Sequence, residues 1–250
     1  MLSKNKIKLI TSLSQKKFRD ELGLFVAEGT KIVIDLVSSF QCATLIATKE
    51  WFDNHPKIEA TELIEVEENE LLKISNQKSP QGVFAVFHKP VNDWNSTQII
   101  SNLSLALDDI QDPGNLGTIL RIADWFGINN VFCSEFCADV FSPKTVQATM
   151  GALARVKVHS LKLADFLEDI KSELPIYGTF MNGENIYSKT LTQHGIIVMG
   201  NEGNGISTEI EKHVAERLFI PNFPMGQPTS ESLNVGVATA LVCGEFRRRM

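Results

Sequence analysis

From residue 104 onward, short apolar runs alternate with stretches of helical spacing. Leu105-Ala106-Leu107, Asn130-Val131-Phe132-Cys133, Val156-Lys157-Val158, Ile176-Tyr177-Gly178-Thr179-Phe180 and Ile196-Ile197-Val198-Met199 read as strands. Between them, Leu116, Ile119, Leu120 and Ala123 share a helix face, and 163–174 has the same period. This alternation constrains the fold more than any other feature. A strand that returns through a helix runs parallel to its predecessor, and such crossovers are right-handed. The reading is an α/β half with a largely parallel sheet buried on both faces. Ligands in such sheets gather at the carboxyl ends of strands.

Three of those ends carry backbone-rich loops. Asp112-Pro113-Gly114-Asn115-Leu116-Gly117-Thr118-Ile119-Leu120-Arg121 follows one strand and opens a helix. Gly200-Asn201-Glu202-Gly203-Asn204-Gly205-Ile206-Ser207 follows another. The third runs from Ile220-Pro221 through Ser230, Ser232, Leu233 and Asn234 into a helix, where Leu233, Val237, Ala240 and Leu241 form the expected apolar face, widened by Val235, Ala238 and Val242. Ser230 or Ser232 is the expected cap of that helix. Glycines at Gly200 and Gly205 let main chain approach a ligand with no Cβ in the way. The plainer account, that they only make turns, weakens when they recur at neighbouring strand ends.

Together the three loops resemble the motifs of the SpoU (TrmH-type) branch of the SPOUT methyltransferases, which methylate ribose 2′-hydroxyls in tRNA or ribosomal RNA. Asn115, Gly117 and Arg121 match the first motif, Gly200, Glu202 and Gly205 the second, and Ser232, Leu233, Asn234 and Val235 the third. The resemblance implies S-adenosylmethionine as cofactor, a trefoil knot at the carboxyl-terminal end and a homodimer whose interface adjoins the cofactor site. It implies catalytic roles for Arg121, Asn115, Glu202, Ser232 and Asn234. Gly200, Asn201, Glu202, Gly205, Ile220, Leu233 and Asn234 would hold the cofactor, with adenine against Ile220 and Leu233. A guanidinium keeps its proton, so Arg121 is expected either to stabilise a developing alkoxide or to grip a phosphate. The chain departs from the family pattern in placing Asn222-Phe223-Pro224 ahead of Met225-Gly226, and in Gly236 where Ser is usual.

The first ninety residues alternate shorter strands and helices, which suggests a small α/β domain. Residues 1–20 read as one amphipathic helix with Ile7, Ile10 and Leu13 inward. In the resembled family, a domain of this size is a ribosomal-protein-like RNA-binding module, and Phe25-Val26-Ala27-Glu28-Gly29 fits its opening. Residues 90–97, rich in Pro, Asn and Ser, break the periodicity. The expected organisation is therefore an RNA-binding domain over 1–90, a linker over 91–97 and a SPOUT domain over 98–250.

Net charge is −6 over 250 residues, which alone argues against a nucleic-acid partner. The average hides an asymmetry. Residues 1–19 hold Lys4, Lys6, Lys8, Lys16, Lys17 and Arg19 with no acid, whereas residues 50–70 hold eight acids and one lysine. A basic run is often only a solvated end. Beside the three motifs it reads as a phosphate-contacting arm, with Glu28, Lys144 and Arg155 as weaker RNA contacts. Four unpaired cysteines suit a reducing, cytoplasmic setting, and Cys133 with Cys137 lack the second ligand pair of a zinc site, so no metal is expected. No run is long enough to cross a bilayer. Competing with an enzyme is a catalytically silent RNA-binding or assembly factor of the same fold. A dinucleotide enzyme lacks its G-x-G-x-x-G.

Overall fold

The structure is a computed structural model that describes residues 2–91, 94, 96–224, 230 and 232–248, the side chains of residues 96 and 98 excepted. In chain order its elements are α1 (Lys4–Ser12), α2 (Lys16–Leu22), β1 (Leu24–Glu28), α3 (Thr30–Val37), β2 (Cys42–Ala47), α4 (Lys49–Asn54), β3 (Glu62–Glu65), α5 (Glu68–Leu71), β4 (Val83–His88), α6 (Ser96–Ile100), β5 (Leu103–Leu107), α7 (Pro113–Trp125), β6 (Asn130–Cys133), α8 (Pro143–Thr149), β7 (Lys157–Ser160), α9 (Leu163–Ile170), β8 (Ile176–Asn185), β9 (Gly195–Met199), α10 (Thr208–Glu211), β10 (Glu216–Phe219) and α11 (Val235–Arg248). The chain divides into two units, Met1–Val91 with Asp139–Arg155, and Asn92–Ala138 with Val156–Met250.

In the first unit the strand order is β1-β4-β2-β3, with β4 antiparallel to both β1 and β2. The single helix expected over 1–20 is two. Thr11 Oγ1, Ser12 Oγ and Ser14 Oγ each bond back to a carbonyl within four residues, at 2.6–2.9 Å. These bonds compete with helix propagation. Ile10 and Leu13 are nevertheless buried, as their spacing predicted.

The segment Asp139–Arg155, expected within the carboxyl-terminal domain, packs with the first unit instead. Phe141 lies 4.8 Å from Phe25, ring centroid to centroid, and Gln77 Nε2 donates to Gln147 Oε1 at 3.1 Å. Of the linker 91–97, positions 92, 93 and 95 lie outside the described residues.

In the second unit the strand order is β10-β8-β9-β5-β6-β7, and every pair is parallel. β5 and β9 are buried at every position, as a sheet covered on both faces requires. Leu107 pairs with Cys133 on one side and Met199 on the other, so β6, β5 and β9 end level. Their carboxyl ends present the first two motif loops side by side.

Helix α11 packs on α7, with Gly236 at the crossing. A Cβ there would stand 3.1 Å from Thr118 Cγ2. The expected face is only partly buried: its flanking Val235 and Val242 turn inward and its centre does not. Val235, Thr239, Val242, Cys243 and Phe246 are inside, while Leu233, Val237 and Leu241 are 48%, 51% and 41% exposed. Small apolar residues on both sides of this helix made the two faces indistinguishable by period alone.

Candidate active site

Helix α7 begins at an N-cap. Asp112 Oδ1 accepts the Asn115 N–H at 2.8 Å, and Pro113 takes the first helical position. This fixes Asn115 in the first turn, pointing toward the second motif loop. That loop turns back on itself after β9. Asn201 and Gly205 exchange backbone hydrogen bonds at 2.9 Å each. Asn201 Oδ1 accepts the N–H groups of Gly203 and Asn204, and its Nδ2 donates to the Asp109 carbonyl at 2.7 Å. A Cβ on Gly200 would lie 2.2 Å from the Gly205 carbonyl carbon, so the curl requires glycine there.

The third motif joins through Asn234, which caps α11 in place of Ser230 or Ser232. Its Oδ1 accepts from Gly236 N at 3.0 Å and from Val237 N at 3.4 Å. With that oxygen occupied, its Nδ2 donates to Asn115 Oδ1 at 3.0 Å. Asn115 Nδ2 in turn donates to Glu202 Oε1 at 2.9 Å. A carboxylate accepts only, so each link forces the orientation of the next amide. Three loops distant in sequence share one hydrogen-bonded chain.

Beside this chain lies a pocket of about 770 Å³, bordered by the Met199–Ile206 curl, the Leu218–Asn222 strand end, Ser230, Ser232, Leu233 and the start of α11. Its size suits a small organic ligand. Leu218, Ile220 and Leu233 give it apolar walls for a flat ring, and the glycines of the curl give it exposed main chain. Glu202 and Glu211 line it, and no Lys, Arg or His does among the described residues. A cationic ligand such as the sulfonium of S-adenosylmethionine fits that charge. Of the segment 222–229, where the chain departs from the family pattern, residues 225–229 lie outside the described residues.

Arg121 does not line the pocket. It is exposed on α7, about 9 Å along the axis from Asn115, and makes no hydrogen bond or ion pair among the described residues. Asp108, which the motifs did not flag, is 4% exposed, and its Oδ2 takes the Ser207 N–H at 2.7 Å. Burial raises its pKa above the ordinary carboxylate value. The sequence reads Leu105-Ala106-Leu107-Asp108 as a buried strand, and the burial holds, but nothing in the period marks the acid at its end as part of the site.

The expected RNA contacts divide. Lys4, Lys8, Lys16, Lys17, Lys144 and Arg155 are exposed. Lys6 pairs with Glu62. Arg19 is 2% exposed, donates from Nε to Asp139 Oδ2 at 3.0 Å and from an Nη to the Leu13 carbonyl at 2.7 Å, and is structural. Glu28 is buried as well. It accepts from Asn76 N at 3.1 Å and from the Ser75 hydroxyl, and so holds a turn rather than RNA. Among the described residues there is no cluster of three metal-ligating side chains, and no helix long and apolar enough to cross a membrane.

Residues 102–244 match the SpoU rRNA methylase family. The chain belongs to that family. Residues 4–85 match the MRM3-like substrate binding domain. A structure from Porphyromonas gingivalis, assigned to the TrmH family of RNA methyltransferases, superposes with a TM-score of 0.91 at 41% identity over the whole of both chains. An AdoMet-bound rRNA methyltransferase from Sinorhizobium meliloti gives 0.86 at 28% identity, covering 100% of this chain and 97% of the other. Among curated proteins, the 23S rRNA (guanosine(2553)-2′-O)-methyltransferase RlmP of Bacillus subtilis is 28% identical over 245 residues, 97% of this chain and 96% of its own. As a SpoU member the chain is an RNA methyltransferase, and S-adenosylmethionine is its methyl donor.

Proposed function

We propose that this SpoU enzyme methylates a ribose 2′-hydroxyl of ribosomal RNA, in the cytoplasm and as a homodimer. The observation that carries the reading is the Asn234–Asn115–Glu202 chain, which meets at Glu202 a pocket that holds carboxylates and no cation among the described residues. Gly200, Asn201, Gly205, Ile220 and Leu233 would hold the cofactor, and Ser232 and Asn234 would close over it. Bound S-adenosylmethionine supplies a methyl group already activated on a sulfonium.

The protein's remaining tasks are alignment and management of one proton. Asn115, clamped from both sides, orients the acceptor. Glu202 holds Asn115 through one carboxylate oxygen. Arg121, which does not line the pocket of its own chain, would supply positive charge beside the sugar oxygen or its adjacent phosphate from the second copy of the homodimer.

Leu233, Val237 and Leu241 recur at helical spacing along one exposed stripe. Leu233 also borders the pocket, so a second copy seated on the stripe would reach the edge of the cofactor site. This supports the homodimer. The trefoil knot accompanies the family fold. The first unit, with Lys4, Lys8, Lys16, Lys17, Lys144 and Arg155 exposed, is assigned to RNA, through phosphates and shape.

Mapping 2′-O-methyl groups in ribosomal RNA from cells with and without the protein tests the proposal. Loss of one or a few sites is expected, restored by the intact protein and not by the Arg121→Ala variant. An unchanged map, or restoration by the variant, favours the silent assembly factor.

A further inference from the structure

β8 and β10 pair with a break that an ordinary bulge does not explain. Gly178 faces Arg217 and Glu184 faces Leu218, so Thr179–Gly183, still extended within β8, bulge out between two adjacent residues of β10. A typical bulge inserts one residue. Gly183 allows the excursion to close, since a Cβ there would lie 2.6 Å from the Leu218 carbonyl carbon. Three of the looped residues, Thr179, Phe180 and Met181, line the pocket, although none belongs to a motif.

Besides the Thr179 Oγ1 contact to Met199 Sδ at 3.9 Å, one side chain of β10 makes several contacts to this segment. The Arg217 guanidinium carbon lies 3.6 Å from the centroid of the Phe180 ring. One Nη donates to Asn182 Oδ1 at 2.5 Å, and the other pairs with Glu211, itself a pocket residue. A planar guanidinium can stack and donate in two directions at once, which an ammonium cannot. The same contact neutralises one of the two carboxylates on the pocket wall. Glu202, the other, has among the described residues only the neutral Asn115 amide against it.

We infer that Arg217 is a positioning residue for the cofactor, pinning the Thr179–Gly183 loop as the wall of the S-adenosylmethionine pocket opposite the motif loops. This rests on the cofactor assignment above. An exposed ion pair with no such duty contributes little and would leave ligand affinity untouched.

Isothermal titration of the full chain with S-adenosylmethionine and with S-adenosylhomocysteine tests it. Arg217→Ala is expected to weaken both about tenfold, the scale of one lost charged hydrogen bond, with the thermal midpoint close to wild type. Arg217→Lys, which keeps the charge but not the stack and fork, should recover only part of the loss. If Arg217→Ala does not fold, Asn182→Ala carries the test, with a two- to threefold weakening expected (on the order of one neutral hydrogen bond). Wild-type affinity in whichever of these variants folds overturns the inference, and so does full recovery by lysine. A wild-type protein that binds neither ligand would overturn the cofactor assignment instead.

Discussion

Asn234 donates to Asn115 at 3.0 Å across a sequence separation of 119 residues, while its other amide atom caps α11. One side chain therefore serves both fold and site, and the two duties separate chemically. Asn234→Asp keeps the cap and places negative charge at the positive end of the helix. It loses the donor, so Asn115 Oδ1 then faces an acceptor. The expected result is an unchanged or slightly raised thermal midpoint with methyl transfer reduced at least about tenfold, the scale of one lost hydrogen bond in a preorganised site. Asn234→Ala should lose both, including about 1 kcal/mol of stability. Thermal melts run beside transfer of a labelled methyl group distinguish the outcomes.

The exposed stripe on α11 makes a second prediction. Val237→Asp alters a side chain that is 51% exposed and outside the core, so the monomer should still fold. A charge buried at the centre of an apolar interface costs enough to prevent association. Light scattering should report a dimer for the natural chain and a monomer for the variant, with activity lost in the monomer. A dimeric variant would remove the stripe from the interface.

Arg19 and Asp139 give a third. Their side chains are 3% and 15% exposed, and the arginine was expected on RNA. Removing one partner of a buried pair leaves the other uncompensated, at a cost of about 3–5 kcal/mol. Arg19→Ala should therefore lower the denaturation midpoint sharply. Exposed Lys16→Ala should leave the midpoint alone and reduce RNA binding in a salt-dependent way. The reverse pattern in chemical denaturation and filter binding would return Arg19 to the RNA surface.

Asp108 predicts a pH dependence. Burial holds its folded-state pKa above the 3.8 of an exposed aspartate. The folded state thus keeps its proton to higher pH than the unfolded chain does. The stability this contributes is complete below the unfolded value and is lost as pH rises through the folded value. At neutral pH the ionised group is a cost. Asp108→Asn can still accept the Ser207 N–H without a charge, so it should match or exceed the natural chain near neutrality, with the difference shrinking toward acid. Urea denaturation at several pH values measures this; a gap that widens toward acid would contradict it.

The parallel sheet and the three loops were legible because period, glycine placement and strand–loop–helix order all agree on them. The hydrogen-bonded partners within the site were not, since Asn115, Glu202 and Asn234 meet only through tertiary folding. The centre of the buried face of α11 was misread for a local reason: valine, leucine and alanine lie all around it, and its neighbours, α7 and Tyr177 of β8 against Phe246, decide which face turns inward. Two further errors share a cause. Arg19 and Glu28 are charged residues in regions that look exposed by composition, yet each is satisfied by a partner 48 to 120 residues away. The Thr179–Gly183 loop was invisible because its sequence continues a plausible strand.

The return of Asp139–Arg155 to the first unit also limits how such proteins can be recombined. The recognition half cannot be exchanged by a single splice near residue 91. A graft of that kind would leave Asp139 and Phe141 with the recipient, so that Arg19 loses its carboxylate and Phe25 one of its ring neighbours. A working chimaera must transplant two separate pieces of chain together, and natural divergence in one piece must be matched in the other.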